Sequence, residues 1–270
     1  MATVTSVAER EAYRRDGAVC LRGLFTADEV ALIERGIEAN LAAPGPFAQI
    51  ASPAGDPGLF VEDFCNWQRI TEYATLVRES RLAEAAAELM GGTTVRLYHD
   101  HLLVKEPRTA QRTPWHQDQP YYNVSGRDNV SAWIPVDPVP RESTLELIAG
   151  SHRGPWYMPR TFMTAQAKWF QPGELAELPD IAADPLRYPV LGWALEPGDA
   201  VFFHMLTLHG SAGVGGPTRR RVLSLRFLGD DARHAPRPWA TSPDFPGLAG
   251  SLPPGAPFDH PLFPVVWPRP

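Results

Sequence analysis

Hydrophobic positions recur at helical spacing only in the first third of the chain. Residues 5–16 have helical character and stop at Gly17, a residue that readily adopts the left-handed conformation closing a helix. A short apolar run at 18–22 predicts a strand. Thr26 followed by Glu29 forms a capping-box pattern, and Val30, Ile33, Ile37 and Leu41 then recur every three or four residues until Pro44. Residues 44–58 are a Pro/Gly/Ala-rich loop. A second helical region spans 71–90, with Leu82, Ala85, Ala86 and Leu89 on one face, and ends at Gly91-Gly92. From Thr93 the pattern becomes short apolar or alternating runs at 95–104, 131–136, 144–148, 190–195, 200–204 and 222–228, separated by turn residues. The spacing predicts a mainly β protein with flanking α-helices: a sandwich, jelly roll or barrel. Neither a repeat nor a linker interrupts it, so residues 1–270 are expected to form one domain. Its parts are a helical jacket over about 1–92, a β core over about 93–230 and a tail over about 231–270.

Composition sharpens this picture. The 270 residues include 29 prolines and 22 glycines, too many breakers for a helical bundle, while 44% hydrophobic residues argue against disorder. Eleven of the prolines follow Gly229, in a tail that also carries Trp239, Phe245, Phe258, Phe263 and Trp267. An extended segment with so many aromatic residues is expected to wrap over the barrel. The net charge of −6 gives no bulk attraction to nucleic acid or anionic membranes. No apolar run is long enough to span a bilayer, and the charged N-terminus does not resemble a signal peptide. Cys20 and Cys65 are expected to be free thiols in the cytoplasm, Cys65 as a buried hydrophobe.

Two clusters carry candidate chemistry. His116 and Asp118 lie two apart, so on an extended segment they leave the same face. Two histidines and one carboxylate on one face of a metal are the donor set of non-haem Fe(II) oxygenases. The second cluster supplies His204 and His209, followed by Arg219-Arg220-Arg221 at the head of an apolar strand. His209 precedes Arg220 by eleven residues. A histidine there would complete the triad, and a guanidinium there could grip the distal carboxylate of 2-oxoglutarate through two parallel hydrogen bonds. Alternation puts Arg220, Val222, Ser224 and Arg226 on one face, with Leu223, Leu225 and Phe227 on the other, and makes Arg226 the alternative anchor.

These residues resemble the phytanoyl-CoA dioxygenase family of Fe(II)/2-oxoglutarate-dependent oxygenases. The resemblance spans about 16–232 and is strongest over 114–122, 143–152 and 198–231. It implies an eight-stranded double-stranded β-helix, a cupin-like jelly roll. It implies His116, Asp118 and His209 as metal ligands, Arg220 and Ser211 as holders of the cosubstrate carboxylate, and Trp133 as a wall of that pocket. Related halogenases replace the carboxylate ligand with a small residue; Asp118 is retained, which favours hydroxylation. No segment resembles a CoA pocket, so the acyl-CoA substrate is not carried over.

The expected activity is hydroxylation of an unactivated C–H bond of a small organic molecule, using Fe(II), 2-oxoglutarate and O2 and releasing succinate and CO2. Phe64, Trp67, His101, Tyr121 and Tyr122 are candidate substrate-pocket residues, each weighed against plain core packing, and 44–67 is a candidate lid. The rivals are a metal cupin using His99 and His101 without 2-oxoglutarate, and a catalytically silent jelly-roll binding module. His152 is expected to be a structural turn residue, His234 and His260 solvated, and Arg219 and Arg221 a solvated charge run. The chain is expected as a monomer or homodimer without nucleic-acid or membrane partners. Nucleophile-elbow, phosphate-loop and Cys-x-x-Cys patterns are absent from the sequence.

Overall fold

The computed structural model describes residues 3–159 and 175–269; the extreme ends of the jacket and tail, and 160–174 of the core range, lie outside it. In chain order it comprises α1 (Val7–Asp16), β1 (Ala18–Leu21), α2 (Ala27–Ala42), β2 (Gln49–Ile50), β3 (Phe60–Phe64), α3 (Thr71–Glu79), α4 (Leu82–Met90), β4 (Val95–Lys105), β5 (Thr113–His116), β6 (Val124–Ser125), β7 (Asn129–Pro135), β8 (Leu145–Ile148), β9 (Val190–Leu191), β10 (Ala200–Phe203), β11 (His209–Ser211), β12 (Arg220–Leu228), β13 (Arg233–His234), α5 (Leu248–Ser251) and β14 (Val265–Trp267).

The strands form a large antiparallel sheet in the order β1-β10-β7-β12-β4-β3-β2, with β14 also paired to β4, and a smaller sheet in the order β5-β11-β8-β9. This is the expected double-stranded β-helix. On the outer face of the large sheet, Leu223, Leu225, Phe227, Val104, Ile134 and Phe202 pack against Ile33 and Ile37 of α2, Tyr73 and Leu76 of α3, and Leu82 and Leu89 of α4. Between the sheets lie Trp133, Leu145, Leu147, Val201, Phe203 and Val222. Alternation along β12 divides these two cores as the sequence predicts.

A β-bulge decides what β4 shows to the interior. Arg226 pairs with His99 but Phe227 pairs with Leu97, so Tyr98 is the extra residue. The slip reverses the alternation along β4. Leu97 faces the helices before it, Leu102 and Val104 face them after it, and His101 and Leu103 point into the barrel.

The predicted capping box of Thr26 with Glu29 is present, and α1 has a second one, Ser6 with Glu9. The helical stretch 71–90 is two helices, not one. Ser80 ends α3 by donating its hydroxyl to Leu76 O at 2.6 Å and accepts from Leu82 N–H at 3.3 Å. The hydroxyl thus satisfies backbone groups on both sides of the break. Residues 60–64 of the candidate lid are a strand on β4 and residues 49–50 pair with that strand, so part of the segment belongs to the sheet. The tail packs as expected: Phe258 and Phe263 are buried with Tyr98, Tyr121, Tyr122 and Met205.

Three expectations need correction. His234 is buried rather than solvated, because β13 pairs with β6 and its backbone N–H donates to Ala256 O. His260 is half-buried and held by the Ser251 hydroxyl at 3.1 Å. Arg219 and Arg221 are not a solvated run. Arg219 pairs with Glu38 and Glu106, and Arg221 grips Asp137 through two hydrogen-bonded nitrogens and reaches Glu34 and Glu38, tying β12 to α2. No helix among the described residues is long and apolar enough to cross a membrane.

Candidate active site

His116 closes β5 and His209 opens β11, and the two residues stand directly opposite each other across that strand pair. Close approach of these short strands depends on Gly210, where a Cβ would stand 3.0 Å from Thr113 O. The imidazole centroids are 4.1 Å apart. In each ring Nδ1–H donates to a backbone carbonyl, Pro114 O at 2.8 Å for His116 and Thr207 O at 2.9 Å for His209. A carbonyl can only accept, so the proton sits on Nδ1 and the Nε2 lone pair is free to bind a metal.

Both Nε2 atoms converge on one oxygen. Asp118 Oδ1 lies 3.7 Å from His116 Nε2 and 3.6 Å from His209 Nε2. Asp118 has left the strand, and its backbone N–H is pinned to Met205 O at 2.8 Å. Between the two, Gln117 turns away. Its amide donates to Leu206 O at 2.8 Å and Pro155 O at 3.1 Å, and its oxygen accepts from Tyr157 N–H. That grip fixes the local backbone, so the alternation of the His-Gln-Asp segment is locked. Among the described residues, His116, Asp118 and His209 are the one group of three such side chains within mutual metal-binding reach, and all three are buried.

The second oxygen of Asp118 is occupied. Ser131 Oγ donates to Oδ2 at 2.7 Å, and Arg226 Nη2 stands 3.3 Å from it. Burial opposes a charge on this carboxyl, but Arg226 and then His209 outweigh it and hold it well below the usual carboxylate range. His209 is pushed down to about 3 by burial and the neighbouring His116, so it is neutral and available as a ligand. The arrangement is a preformed set of two imidazoles and one carboxylate oxygen, the facial donor set suited to Fe(II).

One cavity joins His116 and His209 to Arg220. It is lined by Phe60, His101, Leu103, Thr113, His116, Trp133, Leu145, Phe203, His209, Ser211, Arg220, Ser224 and Arg226. The Arg220 guanidinium is 5.5 Å from the Trp133 ring centroid, donates from Nη2 to Ser211 Oγ at 3.2 Å and from Nη1 to Ser143 O. Among the described residues no carboxylate pairs with it, and burial lowers its pKa to about 10. A buried, unpaired guanidinium is expensive unless a ligand carboxylate completes it.

Lys105, which sequence reasoning passed over, lies opposite Arg220 on β4. Its ammonium donates to Gln111 O at 2.8 Å, Ala212 O at 3.1 Å and Ser211 Oγ at 3.5 Å, over the Phe60 ring. Ser211 therefore accepts from both Lys105 and Arg220 and keeps its own proton to donate. Ser131 was also missed, and Arg226 was weighed only as an alternative anchor; the structure pairs it with the metal carboxylate instead.

The candidate pocket residues divide. His101 lines the cavity, and Phe64 stacks on it with centroids 3.9 Å apart. Tyr121 meets His116 edge-on at 5.9 Å, and Tyr122 is edge-on to His99 at 5.2 Å. Trp67 packs in the apolar core beside the helices and does not line the cavity. His99 and His101 join no third ligand in a metal-binding group among the described residues, so the metal-cupin reading loses its donor set. His204 is spent structurally: Nε2 faces Arg127 O at 3.0 Å, and Nδ1 accepts from Leu206 N–H at 3.0 Å.

A family model for phytanoyl-CoA dioxygenase matches residues 13–222. Peroxisomal phytanoyl-CoA dioxygenase of Rattus norvegicus is 23% identical over 248 residues, covering 86% of this chain and 70% of the rat protein. Ectoine dioxygenase of Sphingopyxis alaskensis is 24% identical over 259 residues, covering 87% of this chain and 81% of that protein. Among solved structures, the epimerase SnoN in complex with Fe3+, alpha ketoglutarate and nogalamycin RO superimposes with a TM-score of 0.74 at 26% identity, covering 96% of this chain and 97% of SnoN.

Proposed function

Because this chain belongs to the phytanoyl-CoA dioxygenase family and is an Fe(II)- and 2-oxoglutarate-dependent dioxygenase, we propose that it hydroxylates a C–H bond of a small organic molecule with the residues of the cavity just described. His116 Nε2, His209 Nε2 and Asp118 Oδ1 would hold the iron. Arg220 and the Ser211 hydroxyl would bind the distal carboxylate of 2-oxoglutarate, and Trp133, Leu145 and Phe203 would sheathe its carbon chain. Iron, 2-oxoglutarate and O2 supply the oxidising power when bound, with succinate and CO2 as co-products. The protein's own contribution is positional. Carbonyls of Pro114 and Thr207 orient the imidazoles, and Ser131 with Arg226 keeps Asp118 ionised and turned. Substrate would enter beside His101, Phe64 and Tyr122. The one observation that carries this reading is Arg220: a buried cation without a carboxylate partner among the described residues, facing the same cavity as His116 and His209.

The test is succinate formation on adding Fe(II), ascorbate and 2-oxoglutarate, with iron and 2-oxoglutarate each raising the melting temperature. If neither shifts the melting temperature, the assignment of these residues is wrong and a silent binding module is the better reading. Residues 1–270 would act as one oxygenase domain, supported by the core that the helices share with the large sheet. The free thiols Cys20 and Cys65 favour a reducing compartment, which we take to be the cytoplasm.

A further inference from the structure

Away from Arg220, the cavity and the wall behind it hold a group of buried polar atoms for which no described residue offers a partner at hydrogen-bond distance. They are Arg226 Nε and Nη1, His101 Nε2, Glu62 Oε2 and His99 Nε2. Glu62, His99, His101 and Arg226 are each at most 5% exposed. Buried polar groups almost always find partners, so five orphans among four adjacent residues call for a reason.

The four residues come from three neighbouring strands and belong together. His99 stands opposite Arg226 across β4 and β12, and His101 stands opposite Ser224. His101 Nε2 is 3.6 Å from Glu62 Oε2 on β3, too far for a hydrogen bond. The bulge at Tyr98 turns His101 inward here, and bulges often re-aim side chains beside active sites. His101 and Arg226 line the cavity that also holds His116 and His209.

The unmet valences are of both kinds. Arg226 can only donate, and Glu62 Oε2 accepts. His99 Nδ1 lies 3.0 Å from Asp100 O, which can only accept, so Nδ1 carries the proton and Nε2 is left as an acceptor. A hydroxyl group serves donors and acceptors alike. A carboxylate serves donors only and would face Glu62 and Asp118, while Arg226 is already balanced by Asp118. An alkyl chain would leave every one of these atoms stranded.

We propose that the part of the substrate held beside the metal is neutral and hydroxyl-bearing, received by a subsite of Arg226 and His101 with Glu62 and His99 behind them. This rests on the oxygenase reading above and narrows its substrate class. Alkyl-chain and carboxylate substrates are thereby disfavoured at this position.

The experiment uses the anaerobic protein loaded with Fe(II) and 2-oxoglutarate. Melting-temperature titrations with trans-cyclohexane-1,2-diol, methoxycyclohexane and hexanoate give apparent affinities. The expected result is a preference of at least ~10-fold for the diol. Equal or tighter binding of the hydroxyl-free ring or of hexanoate, or no binding of the diol, overturns the proposal. A failure of the underlying reading is seen separately, as no shift with Fe(II) and 2-oxoglutarate before any probe is added. A His101→Phe variant keeps the stacking on Phe64 but removes the orphaned nitrogen. It should lose the diol preference to within ~3-fold while its melting temperature stays level or rises, because an unsatisfied buried group has gone. A lower melting temperature with the preference intact would show His101 to be structural and would likewise overturn the proposal.

Discussion

Two pairs of histidines sit within one barrel and differ in almost every respect. His116 and His209 lie on the small sheet, on different strands, and meet across a strand pair. His99 and His101 lie on one strand of the large sheet, two residues apart. In sequence, the second pair is the rival metal site, since both rings leave one face of a single strand. The structure shows why that appearance misleads. A His-x-His strand spaces its rings by about 7 Å, and a carboxylate must then arrive between them; Glu62 approaches His101 alone. The cross-strand pair brings its rings to 4.1 Å and receives Asp118 between both Nε2 atoms. Carbonyls lock the tautomers of His116 and His209, and backbone bonds lock Asp118. The first pair is a rigid donor set and the second a set of unmet hydrogen bonds, a division between chemistry and recognition within about a strand's width.

The largest expected effect tests the division itself. His209→Ala should abolish stoichiometric iron binding and reduce succinate formation by at least ~1,000-fold, while His99→Ala should retain about one iron per chain by metal analysis. Retention of iron in His209→Ala with loss in His99→Ala would exchange the roles of the two pairs. Next in size is the anchor. Arg220→Met should raise the KM for 2-oxoglutarate by ~100-fold with iron content unchanged, because the lost fork is charged, bidentate and buried. Arg220→Lys should recover only part of this, since an ammonium lacks the fork.

A smaller effect is expected behind the ligands. Ser131→Ala removes one of two groups on Asp118 Oδ2 and should weaken iron binding by ~10-fold, a usual loss for outer-shell partners. Arg226→Met should do the same or more and also lower stability, since Asp118 would be left a buried charge without its cation. Unchanged iron affinity in both variants would mean that the backbone alone orients Asp118.

What could be read from sequence follows the range of the contacts. His116-Gln117-Asp118 was legible because extended alternation acts over two residues. Arg220 was legible because one strand carries it and its facing set. Ser131, Lys105 and the true partner of Arg226 were not, because each acts across strands far apart in the chain. β5 and β11 have four and three residues, too short for periodicity to register. β3 lies just past the Pro/Gly/Ala-rich loop of 44–58, and its pairing to β4 comes from tertiary contact rather than local propensity. The break at Ser80 left no trace in the hydrophobic pattern because apolar residues continue on both sides. His101 was legible as a pocket residue, although the bulge at Tyr98 that sets its face is announced by no local residue.

The last expected effect, on acid stability rather than on affinities at the site, concerns a fifth histidine, also buried and also bound to backbone. His204 Nδ1 accepts from Leu206 N–H, and Nε2–H donates to Arg127 O, so the ring must be neutral. Burial, reinforced by His152, lowers its pKa from 6.5 to about 4. The unfolded chain binds a proton near pH 6.5 and the folded chain does not until about pH 4. Stability from this group is therefore full above pH 6.5 and falls as the pH drops, with up to ~3 kcal/mol lost by pH 4. The ring braces the turn whose Met205 carbonyl holds the backbone of Asp118 and Gln119. Between pH 6.5 and 4, His204→Gln should give a flatter melting-temperature profile than the unmodified protein, though with a lower value at pH 7.5. Parallel profiles for the two proteins would mean that the acid sensitivity lies elsewhere, and that this histidine differs from His116 and His209 in location alone.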